Sequence, residues 1–381
     1  MFRLTDPSLP SAANIPPSGQ THSPVSKGAL SLVPEMLQSG LSPGRRLHDT
    51  ASPDRAMALA WAAIAALAVV DLIWFPFSRL TLASNTAWVL CKVTLAVAGC
   101  ACIAPVVRYR LAADRSAASR LVGRMAGSFD LLVVAAAVVL SLCIFGTMFS
   151  YLATSPGLPL LDSRLAAMDR SLGIDWLRLV AMANSNRTVS AALVLAYRST
   201  LPLVLATGVI LALFNDRIRL AEFLAILALS SLLGEILMAF IPAAGAYAYY
   251  APAREIFSNF TGAGGLAHLQ TFSSLRHDAA PVLDFTKLVG LVSFPSFHTV
   301  WAIVTAYAFR KLRLLFWPVA VLNALVIVST LPEGGHHFAD VIAGFVLAAL
   351  SIAVVRAVSE SPRPRQALDW PPRSAVEASE G

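Results

Sequence analysis

An all-α bundle of membrane-spanning helices is the fold this sequence predicts, and three observations carry the prediction. Of the 381 residues, 57% are hydrophobic and only 13% charged, with a mean hydropathy of +0.68. An ordinary soluble domain carries roughly 25% charged residues. The apolar residues fall into long runs of the length a bilayer helix needs. Arginines collect in every second gap between those runs, the pattern that sets orientation in a membrane.

In chain order, residues 1 to about 55 are rich in Pro, Ser and Gly and hold no sustained apolar run. Burial cannot offset the entropy of ordering them, so a disordered tail is expected, with no signal peptide ahead of Ala56. Eight spans follow: Ala56 to Phe75, Ala87 to Val107, Phe129 to Tyr151, Val189 to Phe214, Leu220 to Ile241, Phe294 to Phe309, Leu314 to Leu331, and Phe338 to Val355. The sixth is the shortest against the roughly 20 residues of a spanning helix. The membrane domain expected is residues 56–358, with a second disordered tail over 359–381.

Charge fixes the expected orientation. Arg45, Arg46 and Arg55 precede the first span, and Arg108, Arg110, Arg115, Arg120 and Arg124 follow the second. Arg217 and Arg219 follow the fourth, Arg310, Lys311 and Arg313 the sixth, and Arg356, Arg363, Arg365 and Arg373 the last. Eight spans with both termini in the cytoplasm satisfy this alternation, as in a bacterial inner-membrane protein whose other loops face the periplasm. The net charge of +7 is thereby a topology signal, and no nucleic-acid partner is expected. Cys91, Cys100, Cys102 and Cys143 all lie inside apolar segments and read as small core residues.

Two outer segments differ from simple loops. Leu161 to Met182 has apolar positions at helical spacing broken by Asp162, Arg164, Asp169, Arg170 and Asp175, which predicts an amphipathic helix lying at the outer surface. The connection from Pro242 to Val292 is the longest, and long ordered loops commonly serve a site.

Chemistry concentrates between Ser293 and Gly344. His298 opens the sixth span after Phe294-Pro295-Ser296-Phe297, and His336 opens the eighth with Asp340 four residues on. Positions four apart share a helix face, so Asp340 can hold one imidazole nitrogen of His336 and leave the other as nucleophile or base. The expected topology brings both histidines to one membrane face. The same His-His-x-x-Asp cluster also has the residue types of a metal site, and that reading stays open here.

Phe294-Pro295-Ser296-Phe297-His298 resembles the second signature of the type 2 phosphatidic acid phosphatase superfamily, and Ser329-Thr330-x5-His336-x3-Asp340 resembles its third. The FPS-x-H form, with an LGIDW-like segment at Leu172 to Trp176, is similar to the inositol phosphorylceramide synthase group and its bacterial relatives; the likeness is strongest over about 160–350. The resemblance implies a phosphatase or phosphotransferase that acts on a lipid phosphate at the outer face without cofactor or metal. His336 would be its nucleophile, Asp340 the group that orients it, and His298 the general acid and base. Ser296 would help bind the phosphate. Where the family has an arginine in the third signature this chain has Thr330, and the first signature is not found. Arg276, Lys287 and Arg198 are the substitutes considered, Arg198 having an ion pair with Glu235 as its structural alternative. A headgroup transferase is the alternative within the same chemistry. The competing class is a transporter or binding protein, with Arg198, Glu235 and Lys92 along one conduction path.

Overall fold

The structure, a computed structural model, describes residues 52–114 and 116–360. Most of the expected tails, 1–51 and 361–381, lies outside the described residues, as do Arg45, Arg46, Arg115, Arg363, Arg365 and Arg373.

Six helices are long and apolar enough to cross a membrane: Pro53–Trp74 (α1, apolar to Phe77), Thr86–Leu111 (α2), Ala117–Thr154 (α3), Arg187–Leu213 (α6), Arg217–Phe240 (α7) and Phe338–Glu360 (α13). Between α3 and α6 lie Asp162–Ser171 (α4) and Trp176–Asn184 (α5). After α7 come Ala246–Tyr250 (α8), Ala263–Leu266 (α9) and Leu269–His277 (α10), then Phe297–Ala308 (α11) and Arg313–Ser329 (α12). The sixth and seventh expected spans are α11 and α12, with 12 and 17 residues, short of the roughly 20 that a straight crossing takes.

The helix starts follow from sequence. Pro53 sits at the first position of α1 while Ser52 accepts from Arg55 N–H at 3.4 Å. Ser116, Asn186 and Asp216 cap α3, α6 and α7 in the same way, each satisfying donors that the first helical turn leaves open. The expected amphipathic helix is two helices rather than one. Gly173, at φ +76°, turns the chain between α4 and α5, a conformation that only glycine adopts without a steric cost. The third span is longer than expected, 38 residues, because α3 continues back through Arg120 and Arg124.

Helix α7 forms the centre and is buried along most of its length. Its closest partner is α1, whose Ala56, Ala60, Ala63, Ile64 and Leu67 are buried in one cluster with Ala221, Leu224, Ala225 and Ala228 of α7 or beside them. Small residues let helix backbones approach where lipid supplies no hydrophobic drive between helices. In contrast, α2 buries only Thr86 and Ala104.

The two ends of the bundle are distinct. Ser52 N–H donates to Ser359 O at 3.0 Å, and Arg217 pairs with Asp54 at 3.0 Å. The start of α1, the α6–α7 turn and the end of α13 therefore share one end, as an even number of passes requires. Arg310 joins Glu222 of α7 at 2.6 Å. At the opposite end, the two-residue strands Thr81–Leu82 (β1) and Val282–Leu283 (β2) pair in parallel.

Candidate active site

His336 sits in the loop between α12 and α13 and is held from several sides. Its N–H donates to Thr330 O at 3.1 Å, and its carbonyl accepts the indole N–H of Trp176 at 3.0 Å. Tyr247 donates its hydroxyl to Pro332 O at 2.5 Å, and Ala246 N–H donates to Gly335 O at 2.7 Å. Gly335 has φ +68°, and a Cβ there would lie 2.8 Å from the Cα of Gly265, so a turn packed backbone to backbone requires glycine at this point. Glu333, fully buried, accepts from the N–H groups of Thr261 (2.9 Å) and Gly262 (3.3 Å) and from the Thr261 hydroxyl. It ties the long connection to the histidine loop.

The imidazole is set by the first turn of α13. Nδ1 of His336 lies 3.3 Å from Oδ2 of Asp340, which also accepts the His337 N–H at 2.9 Å. Nε2 is thus the nitrogen left for the cavity. His298, in the first turn of α11, stands with its ring centre 6.2 Å from that of His336. Tyr197 of α6 stacks on His298 at 4.2 Å and 19°. Both histidines line one cavity of about 280 Å³.

That cavity has two parts. At the histidine end it is bounded by His268, His298, His336 and the Gly334-Gly335 turn. Away from it, Val139 and Leu142 of α3, Leu201 and Leu205 of α6 and Leu227 of α7 form an apolar arm. Leu227 lies two helical turns below Glu235, about 12 Å of rise, so the arm runs along the helices away from the histidines. Leu201 and Leu205 are also exposed on the outer face of α6, so the arm opens sideways.

The other anticipated residues fall elsewhere. Ser296 is buried; its hydroxyl accepts from Thr299 N–H at 3.5 Å and its own N–H donates to Asp340 O at 3.0 Å. Arg276 donates to the carbonyls of Gly157 (3.3 Å) and Leu158 (2.8 Å), with burial pushing its guanidinium down from the ordinary value. Lys287 is exposed beside Asp284. Arg198 is exposed on α6, whereas Glu235 is buried and lines the cavity, so the two do not pair. Lys92 lies over the Trp88 ring at 4.6 Å; with Arg198 it stays outside the cavity that Glu235 shares with the histidines. Thr330 is buried with its hydroxyl donating to Ile327 O at 2.6 Å. The cavity lining thus contains no lysine or arginine among the described residues. Nor do those residues include a group of three or more His, Cys, Asp or Glu placed to hold one metal ion.

Several participants carry no motif. His268, a wall of the cavity, has Nδ1 3.2 Å from Gly264 O and Nε2 3.1 Å from Ala244 O. Burial lowers its pKa, against the two carbonyls. His337 is fully buried, with Nε2 3.4 Å from Asp162 and Nδ1 3.6 Å from Asp169. Burial opposes its charge, yet the hydrogen bond to Asp162 and the nearby carboxylates of Asp169 and Asp340 raise its pKa to about 9. Asp162 also accepts the N–H groups of Ala244 and Gly245, and Asp169 those of Phe338 and Ala339 at the start of α13. Burial pushes the Asp169 carboxyl up, but His337 and those two N–H donors leave it below its ordinary value. The two aspartates are seven apart, two turns along one face of α4, which is the sequence signal for this anchor.

Fold and site together define a polytopic membrane protein with a histidine-centred cavity that continues into an apolar arm. A family model described as the PAP2 superfamily matches residues 163–354, half of the chain, and the chain belongs to that superfamily. Neither a curated protein nor a solved structure matches it. The membership points to an enzyme of phosphatase or phosphotransferase type.

Proposed function

We propose that the protein cleaves a lipid phosphate ester at the outer face of a bacterial inner membrane, through a phosphohistidine and without a metal. The observation that carries this reading is the pair of imidazoles 6.2 Å apart at the head of a cavity with an apolar arm. A phosphoryl group fits between the rings while acyl chains run down the arm. Nε2 of His336 attacks phosphorus as the P–O bond to the lipid alcohol breaks, and protonated His298 gives its proton to the departing oxygen. Asp340 accepts a hydrogen bond from Nδ1–H and stabilises the charge that develops on His336. His298, now neutral, takes a proton from water or from a second alcohol, whose oxygen attacks the phosphohistidine and frees His336. The arginine alternation supports cytoplasmic termini and a periplasmic site.

Headgroup transfer, as in the inositol phosphorylceramide synthase group, is the second reading. It is favoured by Trp176 of the LGIDW-like segment, whose indole reaches the His336 carbonyl. Hydrolysis and transfer share the first step and differ in the acceptor admitted to the second.

The test incubates purified protein with labelled lipid phosphates and phosphodiesters, with and without chelator, vanadate and added alcohols. Release that resists chelator, is blocked by vanadate and vanishes in His336→Asn is expected. Turnover that survives in His336→Asn removes the covalent mechanism, and loss on chelation returns the case to a metal site.

A further inference from the structure

The apolar arm carries a polar strip that the phosphoryl chemistry does not use. Ser231 and Glu235, four apart on α7, share a face of the cavity, and Thr147 and Ser150 of α3 line it too. Glu235 is 6% exposed and its Oε2 has no hydrogen-bond partner among the described residues. Asp71 of α1, 1% exposed and within electrostatic reach of Glu235, has no partner for either oxygen there. Burying one unpartnered carboxyl group costs on the order of several kcal/mol, and two facing each other cost more. An apolar pair would pack this position more cheaply. Such an arrangement is retained where a donor arrives from outside the chain.

Depth says what that donor belongs to. Glu235 lies about 8 Å and Asp71 about 5 Å of helix rise from the histidine end of α7 and α1. A phosphorus held between His298 and His336 puts the linker between headgroup and chains at this level, with the chains below it in the arm.

We propose that Glu235, backed by Asp71, is a subsite that accepts a hydrogen bond from a hydroxyl or amide N–H on the linker of a lipid in the cavity. The inference rests on the lipid reading above and names the substrate class: linkers that carry donors, over linkers that present only ester or ether oxygens. A lipid without a donor leaves the acceptor oxygens of the pair unsatisfied, which is how a buried polar site rejects an analogue. The same chemistry serves a phosphorylated substrate or an acceptor alcohol.

Equilibrium binding of labelled lipid to the full chain in detergent, in a His336→Asn background that keeps phosphorylated probes intact, separates these sources. The probes are oleoyl lysophosphatidic acid with its free hydroxyl, the same lipid with that hydroxyl methylated, and monoolein with its dimethyl ether. Glu235→Leu is expected to weaken a hydroxyl-bearing probe about threefold to tenfold, the worth of one hydrogen bond, and its methylated partner less than about twofold. Glu235→Gln, equal in size and still offering a carbonyl oxygen, is expected to hold the same probe within about threefold of wild type, which guards against misfolding as the cause of the leucine loss. Loss on lysophosphatidic acid puts the donor on the substrate; loss confined to monoolein puts it on the acceptor. Equal loss within each pair, or no loss on either hydroxyl probe, overturns the subsite. Because no turnover is needed, this result stands apart from the activity test: an inactive wild type that still discriminates removes the enzymatic reading and keeps the subsite.

Discussion

The main-chain N–H of Ser296 donates to the main-chain carbonyl of Asp340 at 3.0 Å. That bond joins the first turn of α11, which carries His298, to the first turn of α13, which carries the partner of His336. The approach of the two backbone segments that carry the imidazoles is therefore fixed at this point. Gly344 makes the approach possible, since a Cβ there would meet Ser296 O at 2.7 Å and Thr299 Cβ at 2.9 Å.

Gly344→Ala is accordingly expected to push α11 away from α13 and widen the gap between the histidines. A misplacement of about 1 Å costs on the order of a hundredfold in rate when reacting groups must be aligned, so a kcat loss of about tenfold or more is expected. Steady-state kinetics on the best lipid phosphate, with thermal unfolding as control, checks this. Wild-type kcat would show that the helix contact does not set the site.

Local pattern made much of this architecture legible, and long-range convergence is what it left out. Apolar runs, capping residues and the Asp340 spacing are read within a few turns of chain, because helix periodicity repeats locally. Tyr197 reaches the cavity from α6 and His268 from the turn between α9 and α10, segments with no signature, and nothing local marks them. Arg276 drew notice as a nearby cation, but sequence cannot show that its guanidinium is already directed to the carbonyls of Gly157 and Leu158. In α4, Asp162 and Asp169 read as the polar side of a surface helix. Their shared face turns inward to His337 instead.

The His337 anchor gives stability a pH dependence. Its folded-state pKa of about 9 lies above the ordinary 6.5, so its contribution is full below about pH 6.5 and is lost as pH rises through about 9. Asp169, held below its ordinary 3.8, works in the opposite sense, contributing above that value and losing its effect as pH falls through its folded pKa. Thermal unfolding in detergent should show Tm falling between about pH 7 and about pH 10. In His337→Asn, Tm should be lower at about pH 6.5 and that alkaline fall should flatten. An unchanged slope in the variant would assign the fall to other groups.

Trp176 is 1% exposed, stacked on Tyr250 at 5.3 Å and edge-on to Tyr247 at 5.1 Å. Phenylalanine keeps most of that packing and removes the N–H that reaches the His336 carbonyl. Trp176→Phe is expected to cost about 1 to 2 kcal/mol in stability, with a several-fold fall in kcat and little change in KM. A KM effect without a kcat effect would instead put Trp176 in substrate binding.

Tyr197 makes the sharpest separate case, because its ring lies nearly parallel to His298 at 4.2 Å. Trp301 stands tilted 5.8 Å from the same imidazole. A general acid must be protonated when the leaving oxygen departs, and an aromatic face within about 6 Å favours a cation by about 0.5 to 2 kcal/mol, more as water is excluded. In the mechanism proposed, Tyr197 would orient His298 and favour its cationic form as the leaving oxygen departs. Tyr197→Phe retains the face and should keep kcat within about twofold, whereas Tyr197→Leu should lower it about tenfold. Equal losses in both variants would move the effect from the ring to the hydroxyl, and a leucine variant with wild-type kcat would leave Tyr197 a packing residue.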